Sequence, residues 1–285
     1  DSLALRYARS LESVRESVGG SILLAPNETF RKRHPVILHT ESSYSNGFVS
    51  WAPRRMELYT CPEPYETSGL PWMTNLTVHE SRHVAQMQVG NYRSNRPFGW
   101  FLGQIWAGAC AGLYYKNDFL EGDAVVTETA LTPTGRGRNA DFQNYYMTAF
   151  DNGDWRSWLR WMGGSQKNYT PDHYALGYMY YSGMRYFYDA PNLSGEYLDL
   201  LGRRPFELFT YQDKVAKAHT DSLNFNKVFR EQVGQLRVVR DVRDEGRLPR
   251  RLHGMRQHVR PTAERVDVVR KRTDDGGLPV CGVRG

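Results

Sequence analysis

The sequence predicts an α+β fold that is mainly helical, with a small N-terminal sheet packed on a histidine-bearing helix and a helical part after it. Three observations predict this. Apolar residues recur at helical intervals from residue 3 to residue 18, three short β-compatible runs lie between residues 35 and 60, and from residue 98 onward the pattern is mainly helical. A chain of 285 residues is long enough to bury a sizeable core, and 13% aromatic content marks a globular protein and excludes a disordered one.

The first helix is carried by Leu3, Leu5, Ala8, Leu11, Val14 and Val18 and stops at Gly19 and Gly20. The strand candidates are "PVILH" (35–39), "GFVSW" (47–51) and "MELYT" (56–60), separated by turn residues. Next comes a helix around "LTVHESRHVAQM", with apolar Trp72, Met73, Leu76, Val78, Val84, Ala85 and Met87, a cap at Thr74 or Asn75, and a stop at Gly90. Apolar mass on most of its faces makes it an interior helix, so the polar residues in it need a reason to be there. The run 97–115, "PFGWFLGQIWAGACAGLYY", is too short and too Gly-rich to span a membrane and predicts a buried hairpin or a hydrophobic wall beside a cleft. No transmembrane segment is expected.

Residues 1–230 read as one domain, with the sheet and the histidine helix in about 1–90 and the helical part in about 91–230. The net charge of +6 is concentrated in residues 231–285, which hold 13 Lys+Arg against 8 Asp+Glu and no Phe, Trp or Tyr. This basic, aromatic-free tail is predicted to be a poorly ordered extension. Its interleaved acids and missing stacking aromatics argue against a nucleic-acid arm. Cys61, Cys110 and Cys281 are odd in number and lack metal-type spacing, which excludes a disulfide framework.

Chemistry enters at "HESRH", residues 79–83. On a helix, His79 and His83 are about 6 Å apart along the axis and about 40° apart around it, so both imidazoles reach one ion. Glu80 is about 100° round from His79, placed to take a proton from a water on that ion rather than to bind it. A catalytic zinc takes three protein ligands. In "NDFLEGDAVVTETAL", residues 117–131, Glu121 and Glu128 are about two turns apart on one face, so one can bind metal while the other hydrogen-bonds a histidine ligand. The bland alternative is a solvated acidic face. The "GRGR" at 135–138 reads as a solvated loop, in which Arg136 and Arg138 are weak candidates for binding a substrate carboxylate. Tyr174, Tyr178 and Tyr181 form a stripe of the kind that more often packs a core.

"HESRH" followed by "FLEGDAVVTE" (119–128) resembles the gluzincin branch of the zincin metallopeptidases over residues 72–131. His83 and Glu121 are farther apart than in the compact members of that branch. The resemblance implies a zincin-like fold, Zn²⁺ held by His79, His83 and Glu121, Glu80 as general base and Glu128 as the outer carboxylate. It also nominates Tyr174 or Tyr178, with His173 behind them, to stabilise the oxyanion. The function it implies is that of a zinc-dependent metallopeptidase acting on a peptide or protein substrate in an extracytoplasmic bacterial setting. Alternatives are a zinc hydrolase of non-peptide substrates and a non-catalytic binding domain braced by metal.

Overall fold

The structure, a computed structural model, describes residues 2–20, 22, 33–64, 69–88, 93–114, 116–204, 206, 211–220 and 226–234. Helix α1 (Ser2–Gly20) leads into strands β1 (Val36–His39), β2 (Gly47–Trp51) and β3 (Arg54–Tyr59), followed by the histidine helix α2 (Trp72–Met87). After it come α3 (Arg96–Leu102), α4 (Gln104–Tyr114), α5 (Asn117–Leu131), α6 (Ala140–Asp151) and α7 (Trp158–Gly163). The described part closes with α8 (Tyr174–Phe187), α9 (Leu193–Arg203), α10 (Tyr211–His219) and α11 over residues 226–234. The fold is thus α+β and mainly helical. None of the helices among the described residues is long and apolar enough to cross a membrane.

The sheet has the order β1-β3-β2, with β1 parallel and β2 antiparallel to β3. Met56 and Leu58, two residues apart on β3, are buried on one face, where they join Trp51, Leu76 and Val84 together with Tyr7 of α1. That face therefore seats α2 between the sheet and α1. The helix begins one turn earlier than the predicted caps. Pro71 precedes it, and its carbonyl accepts from the amides of Thr74 and Asn75, so these two lie inside the first turn. The predicted stop at Gly90 lies outside the described residues.

Every residue of α2 from Asn75 to Gln86 is buried, and two of its polar members, Arg82 and Gln86, tie the fold together. Arg82 donates from Nε and Nη2 to Asp123 of α5 at 2.6 and 2.9 Å, and from Nη1 to the Val18 carbonyl of α1 at 2.5 Å. Arg185 and Ser194 also donate to Asp123. Burial alone would raise the Asp123 carboxyl, but the Arg82 charge and hydrogen bonds, joined by Arg185 and Ser194, outweigh it and hold the group at about 2. A depressed folded-state value stabilises the fold above the unfolded value of about 3.9 and is lost as pH falls through about 2. Asp123→Asn should therefore cost about 3–5 kcal/mol near neutral pH, because it leaves Arg82 buried without its charge partner. Urea unfolding should show the gap from wild type closing as pH falls below about 4; a gap independent of pH would contradict the assignment.

Two glycines set the spacing of the helical part. A Cβ on Gly122 of α5 would sit 2.4 Å from the Gly177 carbonyl carbon, and one on Gly177 of α8 would sit 2.2 Å from the Asp118 carbonyl oxygen. The helices cross in backbone contact, which brings Glu121 beside Tyr174. The larger core lies around this crossing, with Phe119, Leu176, Met179, Tyr181 and Trp161 buried within it.

The chain divides into Asp1–Arg237 and Val238–Gly285. Residues 231–234 continue α11, with Gln232 and Val233 buried, so the first unit extends past the predicted end at 230. The rest of the predicted tail lies outside the described residues. Residues 97–114 form most of α3 and all of α4, and they are not the buried hairpin expected: Ala107 and Cys110 are buried, whereas Trp100 and Phe101 are exposed and no described residue of the run lines the cavity at the histidine helix.

Candidate metal centre

Helix α2 presents His79 and His83 to α5, and α5 returns Glu121 and Glu128. His79 Nε2 lies 3.0 Å from Glu121 Oε2, His83 Nε2 lies 3.3 Å from the same oxygen, and the two Nε2 atoms are 3.2 Å apart. A tetrahedral zinc about 2.0–2.1 Å from its ligands asks for donor separations of about 3.3–3.4 Å. The three atoms fit that requirement closely, and among the described residues this is the one group of three or more His, Cys, Asp or Glu side chains placed to hold an ion.

The neighbours of each ring set which nitrogen carries its proton. Gln86 donates from Nε2 to Asp123 Oδ2 at 2.8 Å and to the Leu120 carbonyl at 3.1 Å, which turns its Oε1 toward His83 Nδ1 at 2.8 Å. An amide oxygen only accepts, so the proton sits on Nδ1 and the Nε2 lone pair faces the cluster. For His79, Nδ1 lies 3.2 Å from Glu128 Oε2 and 2.9 Å from Arg136 Nη2. Arg136 already donates to Glu128 from Nε at 2.7 Å and from Nη2 at 2.9 Å. The arrangement that satisfies most groups therefore puts Nδ1–H toward Glu128 and again leaves Nε2 for an ion.

The charges agree with a cation site. Burial would lower the His83 imidazole, yet the Glu121 charge and hydrogen bond, helped by Glu80, lift it to about 9. His79 is likewise depressed by burial and raised on balance by its bonds to Glu121 and Glu128. Burial pushes the Glu121 carboxyl up, and the two imidazoles pull it far below the carboxylate range. Glu128 is raised by burial and brought to about 2, first by the Arg136 charge and then by the His79 hydrogen bond. Facing lone pairs call for a positive charge between them, and protons and metal ions compete for that role.

Glu80 differs from the other carboxylates. It is buried, its Oε2 has no hydrogen-bond partner among the described residues, and burial raises its carboxyl even though His83 and His79 pull the other way. Room for it is made by Gly47 at the start of β2, where a Cβ would lie 2.8 Å from Glu80 Oε1 and 2.9 Å from Leu76 Cδ2. A cavity of about 400 Å³ opens onto Glu80, His79 and Tyr174. Ser45, Asn46 and Gly47 form one side, Trp72, Asn75 and Leu76 of α2 another, and Arg136, Asn139, Asp141 and Phe142 a third.

Of the two nominated phenols, the structure brings only Tyr174 to this cavity. Its ring stacks on His79 with centroids 6.0 Å apart, and the Arg136 guanidinium lies 5.3 Å from its centroid. Burial, then the Glu121 charge and hydrogen bond, push its phenol well up, so it stays a donor. Tyr178, one turn on, packs where Gly137 has no side chain: a Cβ there would fall 2.2 Å from the phenol ring. Tyr178 does not line the cavity. His173 occupies the N-cap position of α8 and stacks on Tyr174, and it does not line the cavity either. Arg136 corrects the loop reading in the other direction, because a fork gripping Glu128 belongs to the centre. The signal for it was the placement of "GRGR" directly after the Glu128 helix.

Comparison of the chain with protein-family models, with curated proteins and with solved structures finds no match. The chemistry of the cluster therefore bears the whole functional assignment.

Proposed function

We propose that the protein is a zinc-dependent hydrolase of the gluzincin type, most simply a metallopeptidase. The observation that carries the reading is the convergence of His79 Nε2, His83 Nε2 and Glu121 Oε2 within 3.3 Å of one another, beside the buried Glu80 carboxylate at the edge of a cavity. His79, His83 and Glu121 would hold the ion. When bound, zinc supplies Lewis acidity, which polarises a carbonyl and acidifies water. Glu80 accepts the proton of the attacking water and delivers it to the leaving amine; its raised proton affinity suits a group that must do both near neutral pH. Tyr174 donates its hydroxyl to the oxygen on which negative charge develops. Gln86 and Glu128 keep the two imidazoles in the tautomer that presents Nε2.

Peptide hydrolysis by the purified chain tests this. Activity should disappear on chelation and return with about one equivalent of zinc. Loss of thermal stability on chelation without any hydrolysis would favour a structural metal, and turnover of esters but not peptides would favour a non-peptide hydrolase. Gly47→Ala provides a finer check. The added methyl would crowd both Glu80 and Leu76 and must shift the Glu80 carboxylate, so turnover should fall about tenfold or more while metal content is unchanged. Full activity in that variant would show that the position of Glu80 does not matter.

A further inference from the structure

No described residue of the run 97–115 lines the cavity of the centre, and the exposure of its first half is unusual for a protein surface. Helix α3 and the start of α4, joined at Gly103, form an apolar tip whose large side chains face solvent. Trp100 is 87% exposed, Phe101 80% and Ile105 73%, with Leu102 and Phe98 partly uncovered beside them. Phe206, also exposed, meets the ring of Phe98 at 5.6 Å and extends the patch. Scattered exposed apolar side chains are ordinary, but a contiguous cluster of large ones marks an interaction surface.

Charge indicates what covers it. No Asp or Glu occurs between Glu80 and Asp118, a span that contains the whole tip. At its base, Arg93 and Arg96 lie next to Arg203 and Arg204, because Ser94 Oγ donates to the Arg203 carbonyl at 3.4 Å. Among the described residues, Asp199 pairs with two of these four arginines, Arg93 and Arg203. Solvent-facing tryptophan and phenylalanine close in the chain to a cluster of arginines suit a bilayer surface, where aromatic side chains sit at headgroup depth and arginines meet phosphates. Two copies joined tip to tip by a two-fold axis would bring their arginine collars together, which an anionic surface avoids.

We propose that the α3–α4 tip docks the protein onto an anionic phospholipid surface by inserting Trp100, Phe101 and Ile105 while the arginine collar contacts headgroups. This is independent of the reading of the metal centre. Co-sedimentation of the full chain with phosphatidylcholine vesicles, with and without phosphatidylglycerol, tests it against the double variant Trp100→Ser/Phe101→Ser. The two substitutions are exposed and leave the core intact, and the basic C-terminal segment is the same in both chains, so the difference isolates the tip. The wild type should partition onto the anionic vesicles about tenfold or more better than the variant. Its tryptophan emission should be quenched by brominated lipid, and that quenching should fall in the variant. Equal partition of the two proteins, or no binding at all, would overturn the proposal. So would a lipid-free dimer that the double substitution converts to monomer, since a second copy would then be what covers the tip.

Discussion

Glu80→Gln is expected to keep its metal and lose about 10²–10⁴-fold in turnover. The amide has nearly the shape of the carboxylate, so it fits the space that Gly47 leaves and does not disturb the ligands on either side of it. What it loses is the ability to accept a proton. The neighbouring carboxylates on α5 are already engaged and cannot replace it, since Glu128 is gripped by Arg136, Asp123 by Arg82, and Glu121 faces both imidazoles. Turnover of the variant and its zinc content should be measured on the same preparation. A variant that cleaves peptides at the wild-type rate would remove Glu80 from the chemistry, whatever the metal does.

The second large effect is expected at the ligands themselves. Glu121→Ala leaves two imidazoles without the carboxylate that draws a cation between them, and zinc bound at one equivalent should no longer survive dialysis. Glu128→Gln makes the comparison informative, because it touches His79 only through Nδ1 and should weaken zinc binding by about 10–100-fold without abolishing it. Competition with a chromophoric chelator ranks the two variants directly. If Glu128→Gln lost more affinity than Glu121→Ala, the roles of the two carboxylates on α5 would have to be exchanged.

Much of this was legible in the sequence because it depends on spacing within one element. The periodicity of Leu3 to Val18 gives α1, the alternation around Met56 and Leu58 gives an inner sheet face, and the four-residue step from His79 to His83 puts both rings on one side of α2. The seven-residue step from Glu121 to Glu128 works in the same way, since both carboxylates reach His79 from one face of α5. What stayed hidden depends on which elements meet. Gly47 matters because β2 lies against α2 at Glu80, and Gly122 and Gly177 matter because α5 and α8 cross there; no local pattern records either contact. Gln86 is an intermediate case. It is a polar residue at i+3 from a histidine on an interior helix, and the need to satisfy a buried amide could have pointed to it. On α8 the sequence left two alternatives: helical spacing puts Tyr174 and Tyr178 on one face, but only the crossing partners decide which of them reaches the cavity. The run 97–115 was apolar enough to suggest burial, and the structure turns Trp100, Phe101 and Ile105 outward.

Three atoms, His79 Nε2, His83 Nε2 and Glu121 Oε2, are expected to hold one cation. Crystals grown with one equivalent of zinc and measured on both sides of the zinc absorption edge will show whether they do. A single anomalous peak about 2.0–2.2 Å from all three atoms is the predicted result. A peak seated elsewhere on the chain, or none at this cluster when zinc is present in full stoichiometry, would contradict it.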